Sequence, residues 1–350
     1  MIDALKLRFG MLGAGAIAQT YVRAFARSSA ARLVAIADTN REAATALAAK
    51  AGCAGFGSHE ELAVGSECDA VLVCTPPSTH PEICNWFLRR GLHVLCEKPL
   101  AIDSESAVQM LEAARDGGAH LTMASKFRYA TDVVRARALV QQGIVGEVVL
   151  FENTFTSYVD MTQRWNSHPP TSGGGVLIDN GTHSVDIIRY FLGPIADLQV
   201  IEGKRLQALP VEDTVRVFAR TVDGVMASVD LSWSIHKISP SYICIYGSAG
   251  TLQVGWQESK YRLQGDTEWT VFGHGYDKLQ AFSSQLDNVA RAIRGEEPFV
   301  IESADALASV NVIEAAYQSL CRNGWRRVDR PAQSRPTNRL APAPLARTSR

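Results

Sequence analysis

Between an apolar run, Leu7-Arg8-Phe9-Gly10-Met11-Leu12, and a segment with helical spacing of apolar residues lies Gly13-Ala14-Gly15-Ala16-Ile17-Ala18. Ile17, Tyr21, Ala24 and Phe25 recur with the period of one helix face. Strand, G-x-G-x-x-A, helix is a demanding combination, because it asks one short turn to reverse the chain and leave backbone N–H groups free at a helix N-terminus. Gly13 would make the tight turn, Gly15 would admit a pyrophosphate to the backbone, and Ala18 would let the helix lie close on a sheet. Ala16 and Ile17, which open the helix, belong to the same cofactor-binding turn. Taken alone, such a glycine pair is also compatible with any tight turn, so the following segments decide.

The next strand, Leu33-Val34-Ala35-Ile36-Ala37, ends in Asp38. An acidic residue about 20 positions after the glycines, at a strand end, is placed to accept hydrogen bonds from an adenosine ribose. Its charge would repel a 2′-phosphate and favour NAD over NADP, whereas Arg41 nearby is a group that accommodates such a phosphate. Capping of the following helix is the competing role for Asp38, although Thr39 and Asn40 serve that purpose equally well. The alternation continues. Ser58-His59-Glu60-Glu61 reads as a capping box, and Ala70-Val71-Leu72-Val73-Cys74 is a strand that stops at Thr75-Pro76, beside the same crevice. His93-Val94-Leu95-Cys96 is the next strand and delivers Glu97-Lys98-Pro99 to its carboxyl end. In an open parallel sheet that end faces the ligand, so Lys98 projects into a crevice where a lysine can hold a ribose or a substrate oxygen. A surface lysine after a core strand is the plainer reading of that tripeptide by itself. A helix from Asp103 to about Arg115 and the strand Leu121–Ala124 complete a doubly wound parallel sheet, assigned to residues 1–128.

Beyond residue 145 the period changes to two. Val225, Ala227, Val229, Leu231, Trp233 and Ile235 alternate with Met226, Ser228, Asp230, Ser232 and Ser234, and Asp223-Gly224 joins this strand to Thr214–Val222 as a tight hairpin. Strands are expected near Glu147–Ser157, Tyr242–Tyr246, Thr251–Val254 and Trp269–Phe272. Together they predict an α+β domain over 129–328 built on one open, largely antiparallel sheet. Two closing helices carry Leu279, Phe282, Leu286, Val289, Ile293 and Ala306, Val310, Ile313, Tyr317, Leu320, with the option of packing back on the first domain. An open sheet needs its second face covered, which points to a homodimer or homotetramer. The proline- and arginine-containing stretch 329–350 reads as a disordered tail.

The chemistry of this half centres on Asp179-Asn180-Gly181-Thr182-His183-Ser184-Val185-Asp186. On a helix Asp179, His183 and Asp186 share one face. A carboxylate one turn from an imidazole can orient it as a general base, and a salt-bridge network that fixes the helix is the equal alternative. No second histidine stands at ligand spacing and there is no H-E-x-x-H, so a metal is not expected.

Bulk properties exclude several other classes. A chain of 350 residues, 46% hydrophobic with a formal charge of −1, can build two cored domains and has no electrostatic case for nucleic acid or an anionic membrane. No apolar run reaches membrane-span length. The start lacks a signal-peptide apolar region, and the seven cysteines are scattered without a C-x-x-C, which suits a reducing cytoplasm.

With these pieces assembled, the chain resembles the glucose–fructose oxidoreductase/inositol dehydrogenase/MocA family over residues 5 to 325. The resemblance rests on Gly13–Ala18, on Thr75-Pro76 with His80, on Glu97-Lys98-Pro99 and on Asp179-x-Gly181-x-His183-x-x-Asp186. It implies that Lys98 lies between nicotinamide and substrate, that Asp179 and His183 face it from the second domain, that Glu97 lies near the nicotinamide ribose, and that His80 belongs with Thr75 and Pro76 to the cofactor site. Arg128 within Phe127-Arg128-Tyr129, and Trp165 after Arg164, occupy places where the family contacts cofactor or substrate. The implied activity is NAD-dependent oxidation of a secondary hydroxyl on a sugar, an amino or nucleotide sugar, or a cyclitol. His183 is then the candidate base with Asp179 as its orienting partner, and Lys98 stabilises the developing alkoxide or is itself the base. Glu152 and Asp160 are candidates to meet an aminated sugar. A non-catalytic dinucleotide sensor of the same fold, or an enzyme that recycles tightly held NAD, are the alternatives, and the intact Lys98/Asp179/His183 set disfavours the sensor.

Overall fold

The computed structural model describes residues 6–328. The tail expected over 329–350 lies outside the described residues. The first half alternates strand and helix: β1 (Leu7–Leu12), α1 (Ala16–Arg27), β2 (Ala31–Ala37), α2 (Arg41–Ala51), β3 (Ala54–Phe56), α3 (His59–Gly65), β4 (Ala70–Val73), α4 (His80–Leu88), β5 (His93–Glu97), α5 (Ser104–Asp116) and β6 (Leu121–Ala124). The six strands form a parallel sheet in the order β3-β2-β1-β4-β5-β6. The strand order reverses between β1 and β4, so a crevice opens at the carboxyl edge between them. Both faces of the central strands are covered, which is why β4 is buried at all four positions and reads as an unbroken apolar run. Ser58 caps α3 by accepting from Glu61 N, as its sequence signature requires. The three-residue strand β3 carries too short a pattern to stand out in the sequence.

The second sheet follows α6 (Thr131–Gln141). Its elements are β7 (Val148–Thr156), the one-turn α7 (Pro169–Ser172), α8 (Val176–Leu192), β8 (Ile195–Glu202), β9 (Thr214–Thr221), β10 (Met226–Ser232), β11 (Ser241–Gly247), β12 (Gly250–Gly255), β13 (Ser259–Leu263), β14 (Thr270–Gly273), α9 (Lys278–Ile293), α10 (Ser303–Arg322) and β15 (Arg326–Arg327). Nine strands run in the order β14-β13-β12-β11-β7-β10-β9-β8-β15. All pairs are antiparallel except β7 with β10, where residues 150–156 lie in parallel register with 226–232. The hairpin through Asp223-Gly224 pairs Met226 with Arg220, as its turn residues imply. Along β9 buried Val215, Val217 and Ala219 alternate with Arg216 and Arg220, which are exposed. One face therefore packs on α8, and among the described residues no helix covers the other. Strands β8, β13 and β15 escape sequence reading, because their polar and mixed residues give no clean alternation.

The closing helices do return to the first sheet's layer. Helix α9 packs on α1, where Phe282 meets Tyr21 edge-on at 4.7 Å between centroids, and α10 packs on both α5 and α8. This return carries residues from the far end of the chain into the base of the crevice.

Candidate active site

At the carboxyl edge, the six strands of the parallel sheet deliver their following residues to one cleft. It has two lobes, of about 580 Å³ and about 720 Å³, that share Ile17, Cys74, Thr75, Trp165 and Asn166 along their boundary. The first lobe is lined by Gly13, Gly15, Ala16, Ile17, Asp38, Thr39, Thr75 and Pro76. Gly13 has φ +102°, and a Cβ there would lie 2.8 Å from the Cys74 carbonyl oxygen, so only glycine lets β1 turn this close to β4. A Cβ on Gly15 meets nothing within 4 Å and would stand in the open cleft instead. Asp38 accepts from Ala14 N (2.7 Å) and Asn40 N (2.8 Å), which draws the glycine turn against the end of β2 and leaves carboxylate lone pairs for a ribose.

These residues fit a dinucleotide. The open space over Gly15, the uncapped start of α1 with no acidic residue in its first turn, and the Asp38 carboxylate match pyrophosphate and ribose respectively. Among the described residues, no arginine or lysine lines this lobe. Arg41, counted from sequence as a cofactor residue, is turned away and pairs with Glu61 at 2.6 Å. The charge that softened the preference for NAD is therefore already neutralised.

His80 is also corrected. It is fully buried, with its ring nitrogens 2.9 Å from the carbonyl oxygens of Thr75 and Pro99. Burial pushes its pKa below 6.5, so the neutral ring donates to one of the two carbonyls. It braces the two loops that carry Thr75 and Lys98 and does not line the cleft.

The second lobe contains Glu97, Lys98, Asp179 and His183. Glu97 Oε1 accepts from Tyr21 OH (2.7 Å), whose oxygen in turn accepts from Gln285 Nε2 (3.0 Å) on α9. Burial pushes the Glu97 carboxyl above its usual range. The Lys98–Pro99 peptide is cis. Lys98 Nζ reaches across to α8, where it donates to the Asp179 carbonyl at 3.0 Å and pairs with the Asp179 carboxylate.

Helix α8 enters the site at its N-terminus. Its first amides are held by a buried carboxylate: Glu212 Oε1 accepts from Gly175 N and Leu177 N, both at 3.0 Å, and from Tyr317 OH at 2.8 Å. The expected face is present, yet its three polar residues do different work. Asp179 meets Lys98 and not His183. His183 lines the cavity, edge-on to Phe127 at 5.2 Å, with Nδ1 buried and without a partner. Burial, aided by the nearby Lys126 and Lys98 charges, pushes its pKa well below 6.5 and holds it neutral. Asp186 is wholly buried and takes a bidentate pair from Arg128 (2.6 and 3.0 Å) and a bond from Ser125 OH. Arg128 also pairs with Asp305, which pairs with Arg189. Arg128 is thus a tie between β6, α8 and α10, and not the substrate contact expected of it.

Trp165 lines both lobes, on their boundary, together with Asn166, which sequence reading missed. So were Phe155, Trp256 and Phe282, which line the second lobe from three distant segments. Lys126, at the end of β6, was missed too. It lies two residues past β6 where Lys98 lies one past β5, and a second lysine just beyond the neighbouring strand end was the available signal. Glu152 bonds Tyr246 OH (3.1 Å) and Asp160 bonds Thr162, and neither lines the cleft, so their assignment to an amino group is not supported.

Comparison with known proteins agrees with this architecture. The model of the GFO_IDH_MocA oxidoreductase family, NAD-binding Rossmann fold, matches residues 7–125, and that of the GFO/IDH/MocA C-terminal domain matches 133–253. The chain is similar to the rhizopine catabolism protein MocA of Rhizobium meliloti, at 28% identity over 91% of this chain and 96% of the relative. It is 27% identical to the inositol 2-dehydrogenase of R. meliloti strain 1021, over 90% and 97%. Among solved structures, a levoglucosan dehydrogenase complexed with NADH and levoglucosan superposes with a TM-score of 0.85 at 21% identity, over 93% of this chain and all of that one. The two family models together cover most of the chain, and the chain belongs to the GFO/IDH/MocA oxidoreductase family, with its NAD-binding Rossmann fold.

Proposed function

We propose that the protein is an NAD-dependent dehydrogenase that reversibly oxidises a secondary hydroxyl of a sugar, sugar derivative or cyclitol to a ketone. The observation that carries this reading is the Lys98–Asp179 pair, which joins the parallel sheet's carboxyl edge to the first turn of α8 in the wall of the cleft. The relative named inositol 2-dehydrogenase supports a polyol substrate. Gly13, Gly15, Ala16, Ile17, Asp38, Thr75 and Pro76 would hold the dinucleotide, with Glu97 at the nicotinamide end. When bound, that group supplies the acceptor or donor of the hydride.

The chain's own residues handle the oxygen and its proton. Two of the three Lys98 N–H groups go to Asp179, which aims the third into the cavity, where it stabilises the oxygen as it gains alkoxide character. His183, held neutral, is the group able to accept the hydroxyl proton. Asp179 positions Lys98 and neutralises its charge. Trp165 closes over the boundary between cofactor and substrate lobes.

The test is reduction of NAD by a panel of neutral and acidic polyols, with Lys98→Met as control. Removing one donor aimed at the reacting oxygen should lower kcat by about 10²–10³-fold with NAD binding retained. Turnover that survives in Lys98→Met would remove Lys98 from this role. We also propose that the uncovered face of the nine-stranded sheet packs on a second copy of the chain, making a homodimer or a homotetramer. Light scattering that shows only a monomer at micromolar concentration would dispose of that.

A further inference from the structure

Lys126 follows β6 and lines the second lobe beside Lys98 and His183. Its charged neighbours are Lys98 and Glu97 from the β5 edge, Lys278 from the start of α9 and Asp179 from α8. None of them is bonded to it. Its ammonium lies 5.3 and 5.7 Å from the ring centroids of Phe127 and Phe282, and it makes no hydrogen bond or ion pair among the described residues. The two carboxylates of this lobe are already occupied: Asp179 by Lys98, and Glu97 by Tyr21 OH and the Lys98 amide. Arg164, which also lines the lobe, makes no ion pair among the described residues either. The cavity thus presents more cation than its own anions balance.

A cation drawn partly out of water with no anion beside it is costly unless a ligand supplies the missing charge. We propose, resting on the dehydrogenase reading above, that the substrate is a polyhydroxy acid of the aldonate or uronate class, with its carboxylate on Lys126 Nζ and the reacting hydroxyl on Lys98 and His183. A carboxylate suits this seat better than a phosphate ester. A phosphate dianion is usually met by several donors or a free helix N-terminus, and the amides of Gly175 and Leu177 at the start of α8 are consumed by Glu212. Burial also pushes the Lys126 pKa down to about 8, so the seat is charged at neutral pH and weakens as pH rises past that value.

The experiment compares NAD reduction by D-gluconate, D-galactonate and D-glucuronate with reduction by D-glucitol, D-glucose, myo-inositol and D-glucose 6-phosphate, for the wild type, Lys126→Met and Lys126→Arg. In the wild type, kcat/KM for at least one acid should exceed that of every neutral compound by about tenfold or more, the worth of one charge-assisted hydrogen bond. The acid-to-neutral ratio should fall by at least as much in Lys126→Met, through KM, and recover in part in Lys126→Arg. Neutral polyols preferred over every acid, or an acid preference that Lys126→Met leaves intact, would overturn the proposal while the dehydrogenase reading stands. Preference for glucose 6-phosphate would overturn the carboxylate assignment. If NAD binds but no compound is turned over, the dehydrogenase reading itself fails for this panel, and calorimetric titration of the enzyme–NADH complex with D-gluconate and D-glucuronate then decides. Binding that Lys126→Met weakens supports the seat, and absence of binding by either acid overturns it.

Discussion

Lys98 and His183 illustrate how the same pair of side chains changes meaning once its neighbours are known. An imidazole one turn from a carboxylate suggests a dyad, yet Asp179 spends its charge on Lys98 and leaves the His183 ring with an unpartnered nitrogen. The ring's pKa therefore goes down, where a carboxylate partner would have raised it. If neutral His183 takes the hydroxyl proton, the acidic limb of kcat/KM for oxidation lies below pH 6.5, and His183→Asn abolishes that limb along with most turnover. A limb centred above 6.5 would show that another group is titrating. Two glycines make a second contrast at this scale. Gly13→Ala puts a Cβ at φ +102° against the Cys74 carbonyl and should destabilise the fold by about 1–3 kcal/mol. Gly15→Ala meets open space and should leave stability unchanged while weakening NAD binding, because the methyl group occupies the pyrophosphate's approach. Thermal denaturation with and without NAD separates the two outcomes.

Helix α8 is the element on which the site turns. Its N-terminus is anchored by Glu212, its first turn by Lys98, and its middle by the Arg128–Asp186 pair, so three unrelated segments fix its axial position. Asp186 is fully buried and Arg128 only 5% exposed. Arg128→Met would strand the Asp186 charge with Ser125 alone and should cost about 3–5 kcal/mol, the range for breaking one side of a buried pair. Chemical denaturation measures that loss, and a change under 1 kcal/mol would contradict the role. Asp186→Asn should cost less, since the amide keeps hydrogen-bonding capacity at the same place. The sequence showed the face of α8 correctly through its i, i+4, i+7 spacing. It could not show that one of those residues was structural, because the partner Arg128 lies 58 positions away.

Across the whole molecule, the return of α9 and α10 ties the end of the chain to the first sheet. Gln285 thereby reaches Tyr21, which holds Glu97. Two buried histidines, His80 and His183, have native pKa values below the unfolded one. Their contribution is intact above pH 6.5 and is lost as pH falls, because the unfolded chain takes up protons that the folded chain excludes. The expected loss is about 1.4 kcal/mol per pH unit for each histidine while pH lies between its two pKa values. Denaturation midpoints at pH 7.5 and 5.5 test this, and His80→Gln should flatten the dependence even where it lowers overall stability. A slope unchanged in that variant would mean His80 titrates normally.

By itself the sequence determined the local rules: the parallel sheet from repeated strand–helix alternation, the glycine turn from its spacing, the second sheet from its period of two, and the strand-end placement of Asp38, Thr75 and Lys98. Each of these follows from interactions within a few residues or from burial periodicity, and both are written in the order of the chain. Tertiary structure alone decided which charges meet. It gave Asp179 to Lys98, Arg41 to Glu61 and Arg128 to Asp186, placed His80 under the cleft as a brace, and brought Phe155, Trp256 and Phe282 to one lobe. Charge pairing depends on distances of a few ångströms between segments far apart in the chain, and no local pattern encodes them. The same physics leaves Lys126 as a cation in the cavity with no hydrogen bond or ion pair among the described residues.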